Sequence, residues 1–168
     1  MENLSQPHTI YTIGHSTHSI AVFIAMLQSF DIALLADIRS HPGSRKFPQF
    51  NKPALAASLR EAGIQYLHFP DLGGKRPAIA GTPRQPFGGY TAYMQTEAFK
   101  IAAGQLQQIA KQKRAAYMCA EVLWWQCHRS MLSDYLQAEG WQVQHIMGAG
   151  KVQEHFRPDK SVQGRLFD

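Results

Sequence analysis

The alternation of short apolar segments with amphipathic segments constrains the fold of this chain more than any other feature. Five apolar or β-branched runs predict strands at residues 9–13, 32–38, 65–69, 115–120 and 141–146. Segments with apolar residues at helical spacing lie between these runs, and they begin near Ser19, Asn51, Thr96 and Cys127. Strands that alternate with helices predict a mainly parallel sheet with helices on both faces. We therefore expect an α/β fold, a Rossmann-like three-layer α/β/α sandwich.

The connections between parallel strands limit the order of the strands in the sheet. These connections are right-handed, and five strands can then take the order 3-2-1-4-5. In that order the first and fourth strands are neighbours at a switch point, and ligands bind beyond the carboxyl ends of the strands there. We expect the polar residues that follow the first, second and fourth strands to meet at this edge.

Length and composition indicate one globular domain. The chain has 168 residues, of which 45% are hydrophobic, so we interpret residues 1–168 as a single domain. Residues 1–7 are expected to be a loose tail, residues 71–95 a long insert loop, and residues 156–168 an irregular tail. No apolar run approaches the ~18 residues that a membrane span needs, and the first residues lack a signal-peptide pattern. We expect a cytoplasmic protein with reduced thiols and no membrane partner.

Reactive residue types are concentrated where the fourth predicted strand passes through a loop into a helix. Glu121 follows the strand, and Cys127, His128 and Arg129 open the helix. The free N–H groups and the dipole of a helix start lower the pKa of a thiol and attract anions. Cys127 is therefore a candidate nucleophile, or else a buried and unreactive cysteine, and His128 and Arg129 are candidate ligand-binding residues. Glu121 is a candidate general acid or base, or the partner of Arg129 or Arg39 in a structural ion pair.

The loops after the first and second predicted strands supply the other candidate residues. Asp37 ends an otherwise apolar strand, which is a common position for a catalytic carboxylate, and His15 is a candidate proton carrier. The remaining candidate ligand-binding residues are Ser16, Arg39, Ser44, Arg45, Gly73 and Gly74. A solvated loop is the alternative for the residues after Asp37, and the two glycines alone do not form a phosphate-binding loop.

Several motifs in order along the chain resemble the bacterial family called domain of unknown function 488. They are IGHST at residues 13–17, DIRSHPGSRKFPQFN at 37–51, YLHFPDLGG at 66–74, GYTAYM at 89–94, MCAEVLWWQCHRS at 118–130 and HIM at 145–147. The resemblance implies a three-layer α/β sandwich and brings no established activity. The recurrent polar positions of the family correspond here to Gly14, His15, Ser16, Asp37, Arg39, Ser44, Arg45, Glu121, Cys127, His128 and Arg129.

Three hypotheses about function follow from these residues and from the net charge of +5, which favours an anionic partner. The first is an enzyme or binder of an anionic small molecule of the nucleotide, phosphate or sugar type. For an enzyme, hydrolysis or transfer at a glycosidic or phosphate bond is the favoured reaction. The second is a nucleic-acid-associated module that contacts phosphates through the basic loop 71–93. The third is a thiol redox protein, or a metal-binding protein whose candidate ligands are Cys119, Cys127, His128, Glu121 and His15, and otherwise we expect no cofactor.

Overall fold

The computed structural model describes residues 6–76 and 89–156, which form a six-stranded sheet and five α-helices. The strands are β1 (Thr9–Gly14), β2 (Leu34–Asp37), β3 (Gln65–His68), β4 (Ala115–Cys119), β5 (Gln142–Gly148) and β6 (Lys151–Glu154). The helices are α1 (Ile20–Gln28), α2 (Lys52–Glu61), α3 (Tyr90–Tyr93), α4 (Glu97–Gln112) and α5 (Arg129–Ala138). Residues 1–5 of the predicted amino-terminal tail, 77–88 of the predicted insert loop and 157–168 of the predicted carboxy-terminal tail lie outside the described residues.

The predicted fold class is confirmed, but the strand order differs from the predicted 3-2-1-4-5. The sheet has the order β3-β2-β4-β1-β5-β6, with β1 to β5 parallel and β6 antiparallel to β5. The β1 and β4 strands are neighbours as expected, whereas β4 separates β2 from β1, and β5 pairs with β1. A right-handed crossover determines the face on which its helix packs, but it does not determine whether the connection passes over a strand.

The two faces of the sheet carry separate apolar cores. On one face, α1 and α2 pack through Phe23 and Leu55 against side chains that include Ile13 of β1. On the other face, α4 and α5 pack through Phe99 and Leu132. Neighbouring residues along a strand point to opposite faces, so a residue's position in its strand determines which of the two layers its side chain enters.

Helix starts follow the sequence signals in two cases and depart from them in two others. The side chains of Ser19 and Thr96 accept hydrogen bonds from backbone N–H groups and cap α1 and α4, as predicted. Asn51 precedes α2 without capping it, because its Oδ1 accepts a hydrogen bond from the backbone N–H of Ser44 instead. The predicted helix start at Cys127 is also displaced, since a 3-10 turn at Trp124–Gln126 comes first and α5 begins at Arg129.

The segment after β5 contains an element that the sequence pattern missed. The antiparallel strand β6 follows β5 through a tight turn in which Gly150 has a φ of 70°, a backbone conformation that glycine adopts without strain. The polar sequence of β6 explains why no strand was predicted there, because β6 lies at the edge of the sheet and is mostly exposed. Among the helices formed by the described residues, none has the length and apolar character needed to cross a membrane.

Candidate functional site

The ends of β1, β2 and β4 meet at the carboxyl-terminal edge of the sheet, and backbone hydrogen bonds join the loops that follow them. The N–H of His15 donates to the carbonyl of Cys119 over 3.1 Å, and the N–H of Ser16 donates to the carbonyl of Ala120 over 2.8 Å. The N–H of Ile38 donates to the carbonyl of Met118 over 3.0 Å. These bonds continue the parallel pairing past the strand ends. Successive side chains of the paired segments therefore point to opposite faces of the sheet, and they form two separate groups.

The first group, which we name the Arg39 cluster, lies on the α1 and α2 face and consists of His15, Asp37, Arg39, Phe50 and Tyr66. Its centre is the ion pair between Asp37 and Arg39. The Nε of Arg39 donates to Oδ1 of Asp37 over 2.9 Å, and Nη2 donates to Oδ2 over 2.7 Å. Tyr66 donates its hydroxyl hydrogen to the same Oδ2 over 2.6 Å. The Asp37 side chain is fully buried, so all of its acceptor capacity serves to hold Arg39 and Tyr66.

The guanidinium of Arg39 has one nitrogen that neither Asp37 nor the backbone engages. Nη2 donates to the carbonyl of Phe50 over 2.7 Å in addition to its bond with Asp37. Nη1 lies 3.4 Å from Nε2 of His15. The Arg39 side chain is 10% exposed, so the cluster reaches the surface at this arginine. Nη1 carries two hydrogens, and the single lone pair of His15 Nε2 can accept only one of them, so the second can be donated to an oxygen atom of a ligand by a guanidinium already held on two sides.

His15 is held in one tautomer by its hydrogen bonds. Its Nδ1 lies 2.9 Å from the carbonyl oxygen of Ser16, which can only accept, so Nδ1 carries the proton. Nε2 therefore presents a lone pair toward Nη1 of Arg39, and the ring stacks on Phe50 at a centroid distance of 4.3 Å. Burial, together with the nearby charge of Arg39, lowers the pKa of His15. The imidazole is accordingly neutral at pH 7 and able to accept a proton at Nε2.

The second group, which we name the Arg129 cluster, lies on the α4 and α5 face and consists of Cys119, Cys127, His128 and Arg129. Arg129 is 1% exposed and begins α5. Its Nη2 donates to the carbonyl oxygens of Glu121 and Val122 over 3.1 and 3.0 Å. The carboxylate side of Glu121 is exposed, and Arg129 contacts only its backbone. Arg129 thus holds the loop after β4 in place through the backbone, with no ion pair to Glu121.

Cys127 and His128 are buried beside each other at the start of α5. His128 Nε2 donates to the carbonyl of Ile38 over 3.2 Å, so its Nδ1 is the acceptor that lies 3.2 Å from Sγ of Cys127. Burial lowers the pKa of His128 to about 4. The hydrogen bond with Cys119, and then burial, raise the pKa of the Cys127 thiol. With these pKa shifts the His128 imidazole is neutral and Cys127 is protonated at pH 7. The position of Cys127 near a helix start had instead suggested a thiolate.

The remaining predicted ligand-binding residues lie around the same edge in different settings. Ser44 and Arg45 are exposed on the loop after β2, where the Ser44 hydroxyl accepts from the N–H groups of Lys46 and Phe47. A Cβ built on Gly73 would overlap Ser40, and one built on Gly74 would lie 2.6 Å from Nδ1 of His128. The two glycines therefore allow the loop after β3 to pack closely on the edge.

Sequence reasoning brought together His15, Asp37 and Arg39 and missed the groups that complete their cluster. Tyr66 lies on β3, where it pairs in register with Leu35, two residues before Asp37. This register places the Tyr66 hydroxyl beside Asp37. A predicted pairing of the second and third strands could have indicated that Tyr66 lies near Asp37. No sequence pattern could have predicted the bond from Arg39 to the Phe50 carbonyl, because any residue type supplies a backbone oxygen. Among the described residues, no group of three or more histidine, cysteine, aspartate or glutamate side chains is arranged to hold a metal ion.

Comparison with known proteins gives one match. The family model described as "Domain of unknown function DUF488" matches residues 19–136, which is more than half of the chain and includes every residue of both clusters except His15. No curated protein and no solved structure matches the chain.

Proposed function

The chain belongs to the family described as domain of unknown function DUF488, and we propose that it binds an anionic small molecule of the nucleotide, phosphate or sugar type at the Arg39 cluster. The observation that carries the proposal is the geometry of Arg39. Its Nε and Nη2 are held by Asp37 and Phe50, while Nη1 is directed at the unprotonated Nε2 of His15, and the side chain as a whole is 10% exposed. An arginine fixed in this way binds an oxygen of a ligand without first losing side-chain freedom.

The charges around the cluster favour an anion. Asp37 offsets most of the charge of Arg39, so the attraction depends also on the cations that surround the pair. Arg45 and Lys46 are exposed on the loop that follows Arg39. Lys75 is exposed on the loop after β3, and the backbone N–H of Lys75 donates to Ser40 Oγ over 3.1 Å. With the net charge of +5, these side chains make the edge attractive to phosphate and carboxylate groups.

The same geometry supports hydrolysis or group transfer at a phosphate or glycosidic bond. In this reaction the ligand oxygen takes the place of His15 Nε2 as acceptor for Nη1 of Arg39, which stabilises the oxygen on which negative charge develops. The freed Nε2 of His15 then accepts the proton of an attacking hydroxyl or water. Asp37 acts through Arg39, because its carboxylate is buried and fully engaged. The exposed carboxylate of Glu121, on the loop joined to that of His15, is the second proton-transfer group at the edge.

Isothermal titration calorimetry with inorganic phosphate, a nucleoside monophosphate and a sugar phosphate tests the proposal. Arg39→Lys keeps a cation for Asp37 but removes Nη1, and we expect it to weaken binding by about tenfold or more, equivalent to about 1.4 kcal/mol. Arg60→Lys is the matched control, because Arg60 is exposed in the last turn of α2, away from the carboxyl-terminal edge. Equal affinity of the two variants for every probe contradicts the proposal.

Salt dependence distinguishes a small-molecule site from a nucleic-acid surface. A small anion held by Arg39 exchanges few counterions, so its affinity should fall gently as salt is added. Binding of a single-stranded oligonucleotide with a steep salt dependence, together with no heat from the mononucleotide, would overturn the proposal in favour of a nucleic-acid-associated module.

A further inference from the structure

Arg129 is a buried cation whose hydrogen-bonding capacity is only partly used. It is 1% exposed, and its Nη2 donates to the carbonyl oxygens of Glu121 and Val122 over 3.1 and 3.0 Å. Nε and Nη1 are also buried, and neither has a hydrogen-bond partner in the part of the chain that the structure describes. Among these residues, the hydrogen of Nε and both hydrogens of Nη1 therefore lack an acceptor.

The charge of Arg129 has no counter-ion among the described residues. A guanidinium keeps its proton in a protein, so Arg129 is positively charged although it is shielded from solvent. Within residues 6–76 and 89–156, no carboxylate forms an ion pair with it, and no aromatic ring takes its charge in a cation–π contact. A buried charge without a partner strongly destabilises a fold, so an anion beside Arg129 is expected.

The two cysteines near Arg129 do not supply this anion, because their hydrogen bonds are those of thiols. Sγ of Cys119 lies 3.6 Å from the carbonyl oxygen of Glu121, which can only accept, so Cys119 keeps its hydrogen and donates it. Sγ of Cys127 lies 3.2 Å from Nδ1 of His128, a nitrogen that is unprotonated because Nε2 of the same ring donates to a backbone carbonyl. Cys127 is therefore the donor in that contact and is also neutral.

Tyr117, which lies on β4 before Cys119, is neutral for a similar reason. Ser133 donates its only hydroxyl hydrogen to the carbonyl oxygen of Arg129 over 2.7 Å. The Tyr117 hydroxyl lies 2.6 Å from Oγ of Ser133, so Tyr117 must be the donor in that contact. Glu121 is exposed, and it bonds Arg129 through its carbonyl oxygen. The described groups around the guanidinium thus provide no negative charge.

The start of α5 adds to the positive potential at this point. Arg129 is the first residue of this helix, which has 10 residues. Side chains of a helix lean toward its amino-terminal end, so the guanidinium lies near the positive end of the helix dipole. Helix starts are common anion-binding sites, and here the dipole acts together with a buried guanidinium that has donors to spare.

We propose that Nε and Nη1 of Arg129, at the start of α5, bind a small monovalent inorganic anion of the halide type. A single negative charge balances the guanidinium, whereas a phosphate group would bring surplus negative charge into a buried site. The anion has to be small, because the surrounding residues cover Arg129 almost completely. The site lies on the opposite face of the sheet from the Arg39 cluster and does not depend on the function proposed there.

An anion at this site stabilises the folded protein. It offsets the cost of burying Arg129, whose Nη2 holds the carbonyls of the loop after β4 in place. The unfolded chain does not bring the helix start and the guanidinium together, so the anion binds the folded state and shifts the unfolding equilibrium by mass action.

Thermal unfolding of the whole protein in sodium chloride and in sodium gluconate, at equal ionic strength, tests the proposal. Gluconate is too large for a buried site and serves as the reference anion. In the wild type, the unfolding temperature should rise by about 3–6 °C for each tenfold increase of chloride above its dissociation constant. A wild type that unfolds at the same temperature in the two salts overturns the proposal.

Three variants assign the chloride response to its site. Arg129→Met removes the charge and the donors, so its unfolding temperature should not depend on chloride. Arg60→Met is the matched control, because Arg60 is exposed in the last turn of α2, and it should respond to chloride as the wild type does. Arg39→Lys should also keep the response. A response that is lost in Arg39→Lys and kept in Arg129→Met would place the anion in the Arg39 cluster and contradict the proposal.

A crystal of the wild type soaked in sodium bromide gives a readout that does not require any variant to fold. Anomalous scattering should locate a bromide ion within hydrogen-bonding distance of Nε or Nη1 of Arg129. A water molecule at these atoms, with no anomalous signal, would show that the donors need an acceptor but no counter-ion, and it would overturn the proposal.

Discussion

The α-carbon of Gly14 packs directly against the carbonyl group of Glu121. A Cβ built on Gly14 would overlap the carbonyl oxygen and carbon of Glu121, and it would also touch the backbone of Val122 at 3.0 Å. The same carbonyl of Glu121 accepts the hydrogen bond from Arg129. Glycine at this position therefore lets the loops after β1 and β4 approach closely enough for the two clusters to lie on opposite sides of one joined edge.

Replacement of Gly14 by alanine should destabilise the protein strongly. The added methyl group meets backbone, which cannot move aside as a flexible side chain can, and we expect a loss of about 1–3 kcal/mol or more of unfolding free energy. Gly104→Ala is the control, because Gly104 lies within α4 and a Cβ there meets nothing within 4 Å. That change should stabilise the protein by about 0.5–1 kcal/mol. Urea unfolding measures both, and a neutral Gly14→Ala would show that the edge can rearrange.

The buried ion pair of the Arg39 cluster should be sensitive to the loss of Asp37. Asp37→Asn removes the charge that Arg39 requires and should cost about 3–5 kcal/mol of unfolding free energy. Tyr66→Phe removes only the hydroxyl bond to Oδ2 and should cost about 1.5–3 kcal/mol. Chemical denaturation of both variants checks the order of the two losses. Equal losses of unfolding free energy in Tyr66→Phe and Asp37→Asn would show that the ion pair of Asp37 with Arg39 contributes little beyond the hydrogen bond of Asp37 with Tyr66.

A buried chain of hydrogen bonds crosses the α4 and α5 face from β1 to α5. Thr12 Oγ1 lies 2.6 Å from Nδ1 of His145, Nε2 of His145 lies 2.9 Å from Nδ1 of His155, and Nε2 of His155 lies 2.7 Å from Oδ1 of Asp134. A carboxylate oxygen accepts, so Nε2 of His155 donates to Asp134, and each ring nitrogen of the two histidines is paired with one neighbour in the chain. Trp124 stacks flat on His145 at a centroid distance of 4.4 Å.

The hydroxyl of Thr12 ends this chain, and its removal should leave a buried nitrogen unpaired. Thr12→Val preserves shape but leaves Nδ1 of His145 without a hydrogen-bond partner, and we expect a loss of about 1–3 kcal/mol of unfolding free energy. Thr9→Val is the matched control on the same strand, because the Thr9 hydroxyl makes a longer, partly buried bond of 3.3 Å to Gln142. It should cost less than about 1 kcal/mol. Equal losses in thermal or urea unfolding would mean that the chain of bonds does not stabilise the fold.

Two buried histidines should make the protein less stable as pH falls below 6.5. Burial, and then the charge of Arg129, lower the pKa of His145 to about 2, and burial lowers the pKa of His128 to about 4. The unfolded chain takes up protons on both residues near the ordinary pKa of 6.5, whereas the folded protein does not. The stability that both contribute is therefore complete above 6.5 and decreases below it, by about 1.4 kcal/mol per pH unit for each histidine.

Unfolding free energy measured in urea over the pH unit below 6.5 tests this expectation. His128→Gln keeps a side-chain N–H near the carbonyl of Ile38 but does not titrate. The decrease of unfolding free energy with falling pH should therefore be smaller in this variant, by about the 1.4 kcal/mol per pH unit that one histidine contributes. A slope that is the same in the variant and in the wild type would show that His128 is protonated in the folded protein.

Several features of the fold were predictable from local patterns. The alternation of apolar strands and amphipathic helices indicated the layered architecture, and the hydroxyls of Ser19 and Thr96 indicated two helix starts. The convergence of His15 with Asp37 and Arg39 followed from their positions after parallel strands, since the carboxyl ends of such strands share one edge. These predictions depended on residues close together in sequence or on a general rule of parallel sheets.

Other features depended on contacts that no local pattern describes. The position of β4 between β2 and β1 results from how far two crossovers travel across the sheet, and the mostly exposed β6 forms because β5 has an open edge to pair with. Glu121 was predicted to act through its carboxylate, as an acid or base or in an ion pair with Arg129 or Arg39, whereas Arg129 donates to its backbone carbonyl oxygen. The same carbonyl oxygen also lies 3.6 Å from Sγ of Cys119, a meeting of β4, the following loop and α5 that no local pattern indicates.

The sequence by itself determined the class of the fold and the side chains that the edge of the sheet can use, because periodicity and residue type are local properties of the chain. Tertiary structure decided the strand order, the separation of the candidate residues into two clusters on opposite faces, and the partners of each charge. The physical reason is that desolvation and hydrogen bonding act through space. A guanidinium such as that of Arg39 or Arg129 acquires its role from the oxygen atoms that folding brings to it.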